Sequence, residues 1–175
     1  FEHKFPGLPE GYDHKYVYSH LGYNLKMTEI QAACGLAQLE KIDNFIESRK
    51  RNYRVLKNKL QKFNQFFDVV NPTTSSDPSC FGLLITLKDS CGFSREDLLE
   101  YLNSRKIATR LLFAGNLIRQ PYFIDYNVKY RKIGSLKNTD KVMTSTFWIG
   151  VYPGITEETT KWIEKSFDDY LKDKK

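Results

Sequence analysis

A chain of 175 residues that is 41% hydrophobic and 14% aromatic can bury one core and is too apolar for an intrinsically disordered protein. No run approaches the roughly 20 apolar residues that cross a bilayer, and no apolar signal core stands at the start. The net charge of +6, from 27 basic and 21 acidic residues, suits a phosphate-bearing ligand, yet it is also that of an ordinary solvated surface. Lys and Arg alternate with Glu and Asp, which argues against a nucleic-acid-binding face. The opening Phe1-Glu2-His3-Lys4 has no initiator Met and reads as a point inside a longer polypeptide. Cys34, Cys80 and Cys91 are odd in number and lack metal-ligand spacing, so a reducing cytoplasm is the default and no disulfide framework is expected.

Residues 1–23, rich in Gly, Pro, His and Tyr, predict an irregular arm. Thr28 and Gln31 form a capping box, and Leu39, Ile42, Ile46, Tyr53, Leu56, Leu60 and Phe63 recur at steps of three and four for much of the following stretch. This predicts one long helix over 28–63, with Cys34 a buried thiol and Ala32, Ala33, Gly35 and Ala37 allowing close packing. A short strand follows at 67–70, then a loop at 73–78 and a stronger strand at 81–87. Ser94 caps a helix carrying Leu98, Leu99 and Leu102, and 109–113 reads as a strand ending in Ala114-Gly115-Asn116. Residues 119–123 are too short to classify. A short helix at 138–144 leads to a strand at 147–152, stopped by Pro153-Gly154, and Thr156 caps a last amphipathic helix with Ile163, Phe167 and Tyr170 on one face. The order predicts an α/β or α+β fold around a small sheet, without internal repeats.

Phosphate-binding Gly-rich loops, nucleophile elbows and paired cysteine doublets are all missing. His3, His14 and His20 match no standard ligand spacing and read as surface or interface residues. Two segments are better placed for ligands. Asn24 and Lys26 stand just ahead of a helix N-terminus, where an amide, an ammonium and the helix dipole could hold a phosphate; a simple turn at Asn24 is the alternative. The second segment runs from Arg110 to Tyr122. Arg110 and Arg119 suit a diphosphate, and Tyr122 or Phe113 suits stacking on a base or sugar, against the alternative of a polar surface loop.

His20-Leu21-Gly22-Tyr23-Asn24, Met27-Thr28-Glu29-Ile30-Gln31-Ala32-Ala33 and Gly35-Leu36-Ala37-Gln38-Leu39 resemble a hallmark of the DegT/StrS-type sugar aminotransferases. In that family this motif joins the large cofactor domain to the long helix of the small domain. Gly11-Tyr12-Asp13-His14-Lys15-Tyr16, Thr109-Arg110-Leu111-Leu112-Phe113-Ala114-Gly115-Asn116-Leu117 and Phe147-Trp148-Ile149-Gly150-Val151-Tyr152-Pro153-Gly154 look like one branch, the CDP-4-keto-6-deoxyglucose 3-dehydrases of lipopolysaccharide O-antigen synthesis. The resemblance covers essentially the whole chain.

It implies part of a fold-type-I transferase dependent on pyridoxal or pyridoxamine 5'-phosphate. Residues 1–27 would be an arm from the large domain, and 28–175 a small C-terminal α/β domain led by the long helix. The implied enzyme is a cytoplasmic homodimer with active sites at the subunit interface. Asn24 would reach the phosphate of the cofactor bound by the partner subunit, with His20 and Lys26 beside it. Arg110, Asn116, Arg119 and Tyr122 would face a CDP-linked 4-keto-6-deoxyhexose. The resemblance places the Schiff-base Lys position, which is His in the dehydrases, and the cysteines of a [2Fe-2S] cluster upstream of Phe1. No catalytic residue, metal or bound cofactor is therefore expected in this chain alone. A flavin/iron–sulfur reductase would supply electrons, with no membrane or nucleic-acid partner. A sugar aminotransferase is the alternative within the same fold, and a non-catalytic basic binding module the alternative outside it.

Overall fold

The computed structural model describes residues 17–18, 21–23 and 25–174. The chain divides between Glu40 and Lys41 into two compact units. The first contains helix α1 (Glu29–Leu39), whose start is fixed by the expected capping box. The Thr28 hydroxyl accepts from the Gln31 amide, and the Gln31 side chain accepts from the Thr28 amide at 2.9 Å. No residue of α1 is buried, so Cys34 is exposed, against the expectation of a buried thiol.

Helix α2 (Ile42–Leu60) opens the second unit and tightens into a 3₁₀ turn at Gln61–Phe63. The single helix expected over 28–63 is thus broken at Glu40 and Lys41. Lys41, with φ −106° and ψ −1°, leaves regular helical geometry. Neither Gly nor Pro marks the break, and the apolar steps run across it through Leu39 and Ile42, which is why periodicity joins the two helices. Both of those residues are exposed; the stripe is buried only from Tyr53 onward, at Leu56, Leu60 and Phe63.

Strands β1 (Phe67–Val69), β2 (Gly82–Leu87), β3 (Thr109–Leu111) and β4 (Thr146–Gly150) form one antiparallel sheet in the order β1-β2-β4-β3. The strand expected over 109–113 stops at Leu111, because Phe113 turns into the left-handed region with φ +49°. Alternation along β2 and β4 sends Leu83, Ile85, Leu87, Phe147 and Ile149 into the core. There they join Leu56 and Leu60 of α2, Leu98 and Leu102 of α3 (Arg95–Ser104), and Ile163, Phe167 and Leu171 of α6 (Glu157–Leu171). Each fully buried Leu or Phe contributes about 1.5–3 kcal/mol. The pairing register puts Leu84, Thr86, Arg110, Thr146 and Trp148 on the opposite face.

Two polar ties fix the connections. Asn52 of α2, buried, donates to the Tyr152 carbonyl at 2.8 Å and holds the turn after β4. Arg95 at the start of α3, also buried, donates from Nη1 to the carbonyls of Met143 (2.7 Å) and Thr146 (3.3 Å) and pairs with Glu96. Met143 belongs to α5 (Lys137–Ser145), which runs straight into β4. Arg95 therefore clamps the junction of helix and strand that carries the candidate site.

Candidate functional site

The loop after β3 is built by local rules. Phe113 (φ +49°) and Gly115 (φ +61°) reverse the chain, a 3₁₀ turn forms at Leu117–Arg119, and Pro121 starts the short helix α4 (Pro121–Asp125) at a position where its missing N–H costs nothing. The Gln120 side chain donates to the Ala114 carbonyl at 2.7 Å and closes the loop on itself. Gly115 faces Met143 of α5, whose Cβ and Cγ lie 2.7 Å from where a Cβ would stand.

Asn116 and Arg119 come together on one acceptor. Asn116 Nδ2 donates to Asp140 Oδ1 at 2.8 Å, and Arg119 Nη1 donates to the same oxygen at 3.2 Å. The hydrogen bond from Asn116, then that from Arg119, holds the Asp140 carboxyl below its ordinary range, so it is an anion at neutral pH. Asn116 is buried and turned inward, while the Arg119 side chain stays 54% exposed. Arg110, in register with Trp148, is exposed on β3. Tyr122 is exposed in α4, its ring 5.7 Å from both Phe123 and Tyr126. Tyr126 and Tyr130 extend this aromatic group, Tyr130 with its ring 5.9 Å from Phe123, and Phe113, Lys129, Arg131 and Lys132 are also exposed. Such a surface can take an anion on its guanidinium groups and stack a planar ring on an aromatic face. Nothing in the sequence marks Asp140 as a site residue. In Asn138-Thr139-Asp140 it looks like any acidic residue favoured in the first turn of a helix.

Of the other expected contacts, His20 and Asn24 lie outside the described residues, as do His3 and His14. Lys26 is exposed ahead of the Thr28 cap. The capping box uses the amides of Thr28 and Gln31, and the first-turn amides of Glu29 and Ile30 have no partner within the helix. Lys26 and those two amides fit a phosphate in charge, although Glu29 in the same turn opposes it. Among the described residues no group of three His, Cys, Asp or Glu could hold a metal ion. An open cleft of about 450 Å³ lies between α2 and the 72–78 loop, where Lys50 pairs with Asp77 at 2.6 Å and with Glu47 at 3.5 Å.

Similarity to known proteins follows the same architecture. The chain is 55% identical over 171 residues to the lipopolysaccharide biosynthesis protein RfbH of Salmonella typhimurium, covering 98% of this chain and 39% of that protein. It is 46% identical over 171 residues to the dTDP-4-dehydro-2,6-dideoxy-D-glucose 3-dehydratase of Saccharopolyspora spinosa, covering 98% of this chain and 36% of the relative. The chain thus spans less than two-fifths of the length of these curated relatives. In fold it matches a crystal structure of GDP-4-keto-6-deoxymannose-3-dehydratase with a trapped PLP-glutamate geminal diamine. That match has a TM-score of 0.74 at 23% identity, over 90% of this chain and 40% of the other. The Helicobacter pylori aminotransferase PseC matches with a TM-score of 0.73 at 20% identity, over 88% of this chain and 40% of that one. Residues 3–167 match a single family description, and with the identities above they establish that this chain belongs to the DegT/DnrJ/EryC1/StrS aminotransferase family.

Proposed function

We propose that this chain is part of a nucleotide-sugar 3-dehydrase that uses pyridoxal or pyridoxamine 5'-phosphate and acts in lipopolysaccharide O-antigen synthesis. The observation that carries the proposal is 55% identity to a lipopolysaccharide biosynthesis protein and 46% to a sugar 3-dehydratase, each across nearly the whole chain. The substrate proposed is a CDP-linked 4-keto-6-deoxyhexose. Its C3–O bond breaks, the oxygen leaves as water, and two electrons and two protons balance the replacement by hydrogen. When bound, the cofactor supplies the electron sink for that step. A flavin/iron–sulfur reductase supplies the electrons through a [2Fe-2S] cluster on cysteines outside this chain.

Within that reaction the residues of this chain bind and orient. Arg110 and Arg119 take the diphosphate, and Tyr122 stacks on the base or the sugar. Asn116 shapes the loop from inside. Lys26, with Asn24 and His20, contacts the phosphate of the cofactor held by the partner subunit of a cytoplasmic homodimer. The chain alone is proposed to hold no cofactor and to turn nothing over.

A second reading, a sugar aminotransferase, is favoured by 26% identity over 174 residues to the GDP-perosamine synthase of Escherichia coli O157:H7. One assay separates the two. The full-length protein is incubated with CDP-4-keto-6-deoxyglucose, once with pyridoxamine phosphate and a reductase with its electron donor and once with pyridoxal phosphate and glutamate, and the products are weighed by mass spectrometry. A sugar lacking the C3 oxygen supports the dehydrase, whereas a 4-amino sugar formed with glutamate and pyridoxal phosphate replaces it by the aminotransferase.

A further inference from the structure

We infer that Asp140 is a positioning residue for nucleotide-sugar binding: its carboxylate holds Arg119, and the loop that carries it, in the orientation that meets the diphosphate. The inference rests on the reading of the Arg110–Tyr122 loop as the nucleotide-sugar site.

The geometry that carries it is the convergence of two donors from one loop on one oxygen, Asn116 Nδ2 at 2.8 Å and Arg119 Nη1 at 3.2 Å. An acidic residue in a first turn needs no such partners to favour its own helix, so the dipole alone does not account for the arrangement. Asn116 is buried, and its link to Asp140 fixes the loop from below. Arg119 spends one of its five N–H donors on Asp140 and stays half exposed, leaving the rest of the guanidinium for a second anion. The carboxylate thus removes rotamer freedom from a long cation before the ligand arrives, which lowers the ordering cost of binding.

The platform under Asp140 is itself anchored. Arg95 holds the Met143 carbonyl at 2.7 Å, Lys141 pairs with Asp89, and Met143 packs against Gly115. The loop is attached to α5 at Asn116, Arg119 and Gly115. A shift of Asp140 would therefore be felt at Arg119 more than in the distant core.

The test uses the full-length protein in two formats. Calorimetry without added cofactor gives Kd for CDP, GDP and dTDP, and steady-state turnover of the loaded enzyme gives KM and kcat for the 4-keto nucleotide sugar. Asp140→Ala and Arg119→Ala should each weaken the preferred nucleoside diphosphate by about tenfold, the scale of one lost charge-assisted contact. Asp140→Ala should raise KM in parallel and leave kcat within about twofold, because uniform binding is what it removes. Asp140→Asn keeps an acceptor for Asn116 but loses the charge facing Arg119, so its effect should be intermediate. In the Arg119→Ala background, Asp140→Ala should add less than about twofold, since residues acting through one another are not additive.

An unchanged Kd in Asp140→Ala overturns the inference, and so does a full tenfold loss that persists without Arg119. A fall in kcat in step with the folded fraction, followed by circular dichroism, also overturns it by making Asp140 merely structural. A wild-type protein that binds none of the three nucleotides and turns over no nucleotide sugar overturns the reading of the loop, and this inference with it. That outcome is visible before any variant is made.

Discussion

Gly115 and Met143 are in such close contact that a Cβ added to the glycine would lie 2.7 Å from both Cβ and Cγ of the methionine and 3.0 Å from its Cα. The glycine is needed twice over, because its φ of +61° also lies where side chains are disfavoured. The turn after β3 can rest directly on α5 only because that position has no side chain. Gly115→Ala should lower stability by about 1–3 kcal/mol, from left-handed strain and overpacking together. It should also weaken nucleoside diphosphate binding, since the displaced turn carries Arg119. Urea unfolding and calorimetry on the same preparation check both. Loss of stability with unaltered binding would separate the turn from the site.

Arg95 is the second support of that helix. A buried guanidinium that satisfies two carbonyls and one carboxylate is costly to remove, because the acceptors stay behind. Arg95→Met, similar in length and apolar, should cost about 2–4 kcal/mol in urea unfolding, through the orphaned Met143 and Thr146 carbonyls. Arg95→Lys should recover part of this, since one ammonium can reach one carbonyl but lacks the planar fork. Equal losses in the two variants would mean that charge alone restores nothing and that the position requires the paired hydrogen bonds of the guanidinium.

Asn52 supports the other end of β4, with Nδ2 2.8 Å from the Tyr152 carbonyl and 3.4 Å from that of Pro153. Asn52→Ala should cost about 1–3 kcal/mol, the penalty for a buried acceptor left without its donor. Asn52→Asp is more informative. A carboxylate there would face two carbonyl oxygens in a buried position, so its folded pKa is raised above the unfolded value of about 3.9. Stability would then be greatest below that pH, where the acid can donate, and would fall as pH rises toward the folded pKa. Urea midpoints between pH 4 and 7 should fall in Asn52→Asp relative to the parent. Parallel profiles would show that the site is more open than its burial indicates.

Most of the elements could be read locally, because caps and periodicity are local. Thr28, Ser94 and Thr156 each cap a helix through the hydroxyl, as their spacing from the first apolar residue implies. Other features of the fold could not. The break at Lys41 has no Gly or Pro to announce it, and the exposure of Cys34 depends on what α1 packs against, which periodicity does not state. In the candidate site, Arg110, Arg119 and Tyr122 show their chemistry by residue type and loop position. Asn116 does not, since the sequence cannot say that its amide turns inward to an aspartate 24 residues away. Asp140 itself is recognisable only by the two side chains that meet on it.

Glu164 offers a test of how α2 and α6 are joined. Its two oxygens take Lys59 Nζ at 2.6 Å and Lys62 Nζ at 2.9 Å, so one carboxylate on α6 bridges two lysines on and just beyond α2. The hydrogen bond from Lys59, then that from Lys62, holds its pKa below the ordinary 4.5. A folded pKa depressed in this way stabilises the protein above the unfolded pKa, and the contribution is lost as pH falls through the folded value. The carboxylate is about one-quarter exposed, so solvent screening keeps the contribution to roughly 1 kcal/mol or less. Glu164→Gln, which keeps an acceptor but no charge, should be less stable than the parent by that amount at pH 7, with the gap narrowing as pH falls to 3. Added salt should narrow the gap at pH 7 by screening the pair. Urea unfolding of both proteins at the two pH values reads the difference directly. A gap that persists unchanged at pH 3 would assign the effect of Glu164 to packing between α2 and α6 instead of to its charge.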